Sequence, residues 1–177
     1  MKKLLLGIFI LFGIFAVIRE LRPAARFNTA QEMLQVRRID GSGEVVREEF
    51  QTRLAPYLAV YHGAGWCPPC QQFSPILSEF YHDANKTKLR FQLLMVNYDR
   101  SEADMVAYMR QHRMEFPALR RGEAGAWGKA TGDGIPNLII IDTASGRVVT
   151  SSFEGSTYVG CEKPLEVLRT IIAQGHP

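Results

Sequence analysis

Cysteine is scarce in this chain, with three in 177 residues, too few for the disulfide framework of a small secreted scaffold. Stability must therefore come from packing. Histidine is scarce as well: His62, His82, His112 and His176 show no paired spacing, so a zinc site, which takes four ligands in a regular pattern, lacks its ligands. Charge of one sign is also missing. The net charge is +3, and Arg37-Arg38 and Arg120-Arg121 read as isolated, solvated pairs rather than a basic stripe, which argues against nucleic acid as a partner. With 46% hydrophobic residues the chain can bury one ordinary core, and a single domain is expected.

Long apolar runs are absent except at the start. Lys2 and Lys3 precede an uncharged stretch from Leu4 to Ile18, closed by Arg19, Glu20 and Arg22. As a helix it would reach roughly 22 Å, short of the roughly 30 Å hydrocarbon core, which favours a signal peptide. Around Gly13 and Ala16, however, the small-x-small cleavage pattern is poorly met, which favours an uncleaved anchor. Residues 1–22 are expected to be a signal peptide or membrane anchor contacting the bilayer through residues 4–18. Residues 23–32 then form a linker and 33–177 an extracytoplasmic domain.

The chemistry is concentrated in Trp66-Cys67-Pro68-Pro69-Cys70. Two cysteines three apart at a helix start can close into a disulfide with little backbone movement. With Cys67 at the N-cap, Pro68 takes the first helical position, where its missing N–H costs nothing. Pro69 cannot donate either, so the amide of Cys70 is the remaining donor to the Cys67 sulfur. That bond and the helix dipole favour thiolate, the attacking form. Cys67 is the expected nucleophile and Cys70 the resolving thiol. The two prolines stiffen the turn and limit how far the thiolate is stabilised. A half zinc site and a purely structural disulfide are the bland readings; the latter would close a very short loop and be a weak staple.

Along the chain, Thr29 to Arg38 holds a short helix or strand with Met33, Leu34 and Val36 inward, and Asp40-Gly41-Ser42-Gly43 is a turn. Val45-Val46 suits an edge element and Arg47 to Leu54 a helical turn. Tyr57 to His62 is a buried strand leading into the cysteines. The helix from Pro68 to Asn85 turns Phe73, Ile76, Leu77, Phe80 and Tyr81 inward, with Pro75 interrupting it. Leu89 to Asn97 is a strand apolar on both faces. Glu102 to His112 is a helix, Phe116 to Leu119 a short strand, and Glu123 to Lys129 a weak helix with Trp127. Asn137 to Ile141 and Arg147 to Ser151 form a hairpin, and Pro164 to Gln174 a last helix. That order implies an α/β fold, a mixed sheet covered on both faces.

Trp66-Cys67-x-x-Cys70 after a buried strand, Pro75 eight residues beyond the first cysteine, and Gly134-Ile135-Pro136 entering a later strand together resemble the thioredoxin superfamily. Tyr61 to Pro75, Phe80-Tyr81 and Val96-Asn97-Tyr98-Asp99 are similar to its tryparedoxin and nucleoredoxin branch, and the likeness runs roughly from Leu34 to Glu154. The resemblance implies a thioredoxin-like α/β fold, a mixed central sheet with helices on both faces. It implies a dithiol that reduces disulfides of client proteins, fed by a membrane or soluble thiol donor. The Cys67–Cys70 pair is itself the redox group, so neither a cofactor nor a metal is expected. It also implies a cis Ile135–Pro136 bond, with Ile135 and Pro136 lying against the cysteines and shaping the client surface together with Trp66. Pro68, Pro69, Pro75 and Tyr61 support the motif. Tyr61 stands where thioredoxins carry a buried aspartate, so the proton path needs another group or water. The N-terminal segment resembles that of membrane-tethered periplasmic members, which implies an inner-membrane tether. A copper-handling thiol module and a disulfide oxidase or isomerase are the alternatives on the same fold. Cys161 reads as a semi-buried structural thiol, its alternative being a regulatory or intermolecular disulfide. His62 and Tyr61 read as packing residues.

Overall fold

The computed structural model describes Phe27, residues 33–129 and residues 131–175. The expected anchor at 1–22 lies outside these residues, as does the linker at 23–32 apart from Phe27. Among the described residues no helix is long and apolar enough to cross a membrane.

Two strands carry the centre of the sheet. β1 (Met33–Ile39) and β2 (Val45–Gln51) form an antiparallel pair at one edge, while β3 (Tyr57–Gly63) lies at the centre, buried along almost its whole length. β4 (Gln92–Asn97) runs parallel to β3 and is buried throughout, as a two-sided strand must be. The chain passes from β3 to β4 through α1 (Pro68–Asn85), and from β4 to β5 (Ala118–Arg120) through α2 (Glu102–Gln111). β6 (Asn137–Asp142) returns antiparallel to β3, and β7 (Val148–Ser151) pairs with β6. The order is β2-β1-β5-β4-β3-β6-β7. Then come a two-stranded hairpin, β8 (Phe153–Glu154) with β9 (Thr157–Tyr158), and α3 (Glu162–Ala173).

Alternate residues of the sheet face two cores. Ala59, Tyr61, Leu93, Met95, Leu138 and Ile140 pack with buried side chains of all three α-helices: Phe73 and Leu77 of α1, Met105 and Met109 of α2, Leu165 and Leu168 of α3. Leu58, Val60, Leu94, Val96, Ile139 and Ile141 face the other way and are covered by Ala124 and Trp127. Phe27 stacks on Trp127 with ring centroids 5.7 Å apart. The expected mixed sheet is present with helices on both faces, but unequally: among the described residues the second face carries 3-10 turns, at Arg121–Glu123 and Gly125–Gly128, and no α-helix.

Several local expectations are corrected. Arg47 to Leu54 is not a helical turn, since β2 runs to Gln51 and pairs residue by residue with β1; pairing on the sheet overrides the helix preference of its Arg and Glu residues. Met33 is exposed at the start of β1, and Ile76 is exposed on α1. The paired arginines are not simply solvated. Arg37 bridges Glu102 and Glu123, tying β1 to α2 and to the 3-10 turn after β5, and Arg38 pairs with Glu48 of β2. The Trp127 segment forms 3-10 turns because Gly125, at φ 51°, breaks any longer helix. α3 starts earlier than expected, at Glu162, with Pro164 in its first turn, where a missing N–H is tolerated.

Candidate active site

The two cysteines sit where β3 gives way to α1. Cys67 is extended at φ −96° and ψ 108°, the N-cap of α1, and its sulfur accepts a hydrogen bond from the Cys70 amide at 3.3 Å. Pro68 and Pro69 occupy the next two positions, so this amide is the donor left over. The Cα atoms of Cys67 and Cys70 are 5.2 Å apart and their sulfurs are joined as a disulfide. Cys67 is 4% exposed and Cys70 0%. The outer sulfur is therefore the one a large molecule can approach.

The Ile135–Pro136 bond is cis, and the Ile135 carbonyl oxygen lies 3.8 Å from the Cys67 sulfur. This loop belongs to a supported structure. Asn137 Nδ2 donates to the Thr131 carbonyl at 2.9 Å, and the Thr131 and Ser151 hydroxyls share a hydrogen bond. Gly132, at φ +88°, lies so close to Phe153 of β8 that a Cβ there would stand 2.3 Å from the ring. Gly132→Ala is expected to destabilise the domain by about 2 to 4 kcal/mol, adding left-handed strain to a clash at the ring's root. Urea unfolding of the two proteins side by side checks it; an unchanged midpoint would mean that β8 does not buttress this loop.

Trp66 projects from the turn, 61% exposed, with its indole Nε1 donating to the Tyr98 carbonyl at 3.2 Å. On one side it lines a cleft of about 720 Å3 with Gln71, Asp99, Asp104 and Tyr108. On the other it lines a groove of about 530 Å3 with Tyr98, Arg121, Lys129 and Ile135. The Asp99 carboxylate accepts twice from the Gly65 amide, at 2.9 and 3.1 Å, and Asn97 Nδ2 holds one of its oxygens at 2.8 Å. Gln71 donates to the Gly65 carbonyl and accepts from Gln111 at 3.1 Å. Asp99 and Gln71 clamp the turn before Cys67, yet neither stands out as a site residue in the sequence. The available signal was topological: β3 and β4 are parallel neighbours, so the residues just beyond their carboxyl ends must meet.

Behind Cys70, Tyr61 is fully buried. Its hydroxyl meets the Ser74 hydroxyl at 3.0 Å, the Tyr108 hydroxyl at 3.4 Å and the Cys70 carbonyl at 3.5 Å. Burial, reinforced by Tyr108, pushes the Tyr61 phenol well above its ordinary range, so it stays protonated. A hydroxyl of this kind can hand on a proton but cannot hold a charge as a carboxylate would. Tyr108 also lines the cleft, although it is almost wholly buried and its hydroxyl is turned inward to Tyr61 and Ser74.

His62 is also fully buried. Its Nδ1 shares a hydrogen bond with the Tyr98 hydroxyl at 3.2 Å, and its Nε2 has no partner among the described residues. Burial first, and the Arg121 charge second, lower its pKa to about 4. Cys161 is 1% exposed, deeper than a semi-buried thiol, and burial raises its pKa to about 11. Ser152 donates to its sulfur at 3.1 Å. A closed, protonated thiol is a packing group, and an intermolecular disulfide through it would require the domain to open. Pro75 lies inside α1, one turn beyond the cysteines. No group of three or more His, Cys, Asp or Glu placed to hold a metal occurs among the described residues.

Comparison with known proteins places this arrangement. Residues 56–148 match a family profile described as thioredoxin-like. The tryparedoxin of Trypanosoma brucei brucei is 33% identical over 92 residues, covering 51% of this chain and 63% of that protein. The nucleoredoxin of Xenopus laevis is 31% identical over 105 residues, 58% of this chain but only 25% of its own length. The chain thus spans less than two thirds of these relatives. Among solved structures, the thioredoxin of Wuchereria bancrofti superposes with a TM-score of 0.55 at 26% identity, covering 85% of this chain and all of that one.

Proposed function

This chain belongs to the thioredoxin-like family, and on that premise we propose that it is a thiol-disulfide oxidoreductase working as a reductant of disulfides in client proteins. The observation that carries the direction is the N-cap of α1. A single amide, that of Cys70, donates to the Cys67 sulfur, while Pro68 and Pro69 withhold the other two. Weak stabilisation of the thiolate leaves the reduced pair less favoured, and such a pair gives up its electrons more readily.

In the proposed cycle the Cys67 thiolate attacks one sulfur of the client disulfide. A Cys67–client bond forms, and the other client sulfur leaves as a thiolate that takes up a proton. Cys70 then loses its proton and attacks Cys67, which releases the second client thiol and closes Cys67–Cys70. Two electrons pass to the client. Cys70 gives its proton to solvent as it attacks, and Tyr61, Ser74 and Tyr108 keep a hydrogen-bonded set of hydroxyls against its backbone carbonyl. Trp66, Ile135 and Pro136 form the surface against which the client lies. A dithiol of low molecular weight or a partner protein dithiol restores the pair.

The experiment is the reduction potential of the Cys67/Cys70 pair against a glutathione or dithiothreitol buffer. A value between about −270 and −200 mV is expected, the range of reducing members, and one near about −120 mV would make the protein an oxidant instead.

A further inference from the structure

The groove on the Ile135 side of Trp66 carries charge that the redox chemistry does not use. Arg121 and Lys129 line it, and both are exposed. Among the described residues neither takes part in an ion pair, whereas Arg37, Arg38 and Arg47 all do. Asp133 is the one carboxylate in the described lining, so the balance is positive. Arg121 is moreover held in place. Its guanidinium sits 4.9 Å from the centroid of the Tyr98 ring, an arrangement that restrains a long side chain without neutralising it. Tyr98 is itself fixed at three points. Its amide donates to the Gly63 carbonyl at 2.9 Å, its hydroxyl meets His62 at 3.2 Å, and its carbonyl receives the Trp66 indole at 3.2 Å. The same residue thus positions the exposed tryptophan beside Cys67 and the free cation next to it.

We infer that Arg121, braced on Tyr98, selects clients that carry a carboxylate within a few residues of the disulfide to be attacked. The inference rests on the reductase reading and names its substrate class. A client strand lying between Trp66 and the Ile135 loop would bring its flanking side chains over Arg121 and Lys129. There a Glu or Asp is attracted and a Lys or Arg repelled, mainly during encounter.

The test uses two disulfide peptides identical except for Glu or Lys two residues from the attacked cysteine, with dithiothreitol as reductant. At low salt kcat/KM is expected to be about fivefold higher for the Glu peptide. In 1 M salt, where the screening length is about 3 Å, the ratio should approach one. Arg121→Glu should invert the preference and Arg121→Gln should bring the ratio close to one, results that a purely structural role for Arg121 would not give. Equal turnover of both peptides by the unaltered protein at low salt, or a ratio unmoved by Arg121→Glu, overturns the inference and leaves the reductase reading standing. Turnover of neither peptide overturns both.

Discussion

Replacing Cys67 with serine is expected to lower disulfide turnover by roughly three orders of magnitude or more, the scale on which loss of a covalent nucleophile is felt. The geometry sets the asymmetry between the two sulfurs. Cys67 is the N-cap, 4% exposed and next to the Ile135 loop, while Cys70 lies one turn inward at 0%. A serine at Cys67 keeps the cap, because its hydroxyl accepts from the Cys70 amide as the sulfur does. The fold should therefore survive, and the loss is chemical. Cys70 cannot substitute for the missing thiol, since a client sulfur would have to enter the core to reach it. Steady-state reduction of a peptide disulfide, with unfolding curves beside it, measures both halves. Activity within tenfold of the unaltered protein would show that Cys67 is not the attacking group.

A second large effect concerns pH. Burial and the nearby Arg121 charge lower the His62 pKa to about 4, against an ordinary value of 6.5. The unfolded chain then binds a proton at higher pH than the folded one. Stability from a neutral His62 is complete above about pH 6.5 and declines as pH falls towards 4, because only the unfolded state gains the proton in that window. Over it the loss amounts to about 3 kcal/mol. In His62→Phe that loss should disappear, since a ring of similar size fills the site without titrating. Urea unfolding at pH 7, 5.5 and 4 provides the comparison, with all other groups cancelling in the difference. Curves for the two proteins that fall in parallel with pH would show that His62 is not held neutral by burial.

Much of the site could be read from the sequence because it is local. The helix start at Cys67, the proline positions and the donor left at Cys70 follow from a pentapeptide, and the structure shows that cap with its 3.3 Å bond. Helix α1 spans Pro68–Asn85 as its periodicity indicates. The cis bond at Ile135–Pro136 came from resemblance rather than from any local rule. What the sequence concealed depends on partners far along the chain. β2 holds charged residues that suit a helix, and only its register with β1 makes it a strand. β8 and β9 are two residues each, too short for any period to show, although Phe153 is what fills the space beside Gly132. Asp99 and Gln71 became site residues only when the parallel pairing of β3 and β4 brought their ends together. Arg121 gained a meaning from the ring beneath it.

That Cys67 attacks and Cys70 resolves is decided by capture of the intermediate. Cys70→Ser and Cys67→Ser, each reduced and then mixed with a disulfide-bonded client, are separated on a non-reducing gel and the linked species is mapped by mass spectrometry. A mixed disulfide through Cys67 is expected to accumulate in Cys70→Ser and to dissolve in dithiothreitol, with none in Cys67→Ser. A linkage through Cys70 in Cys67→Ser, or no linkage in either variant, would contradict it.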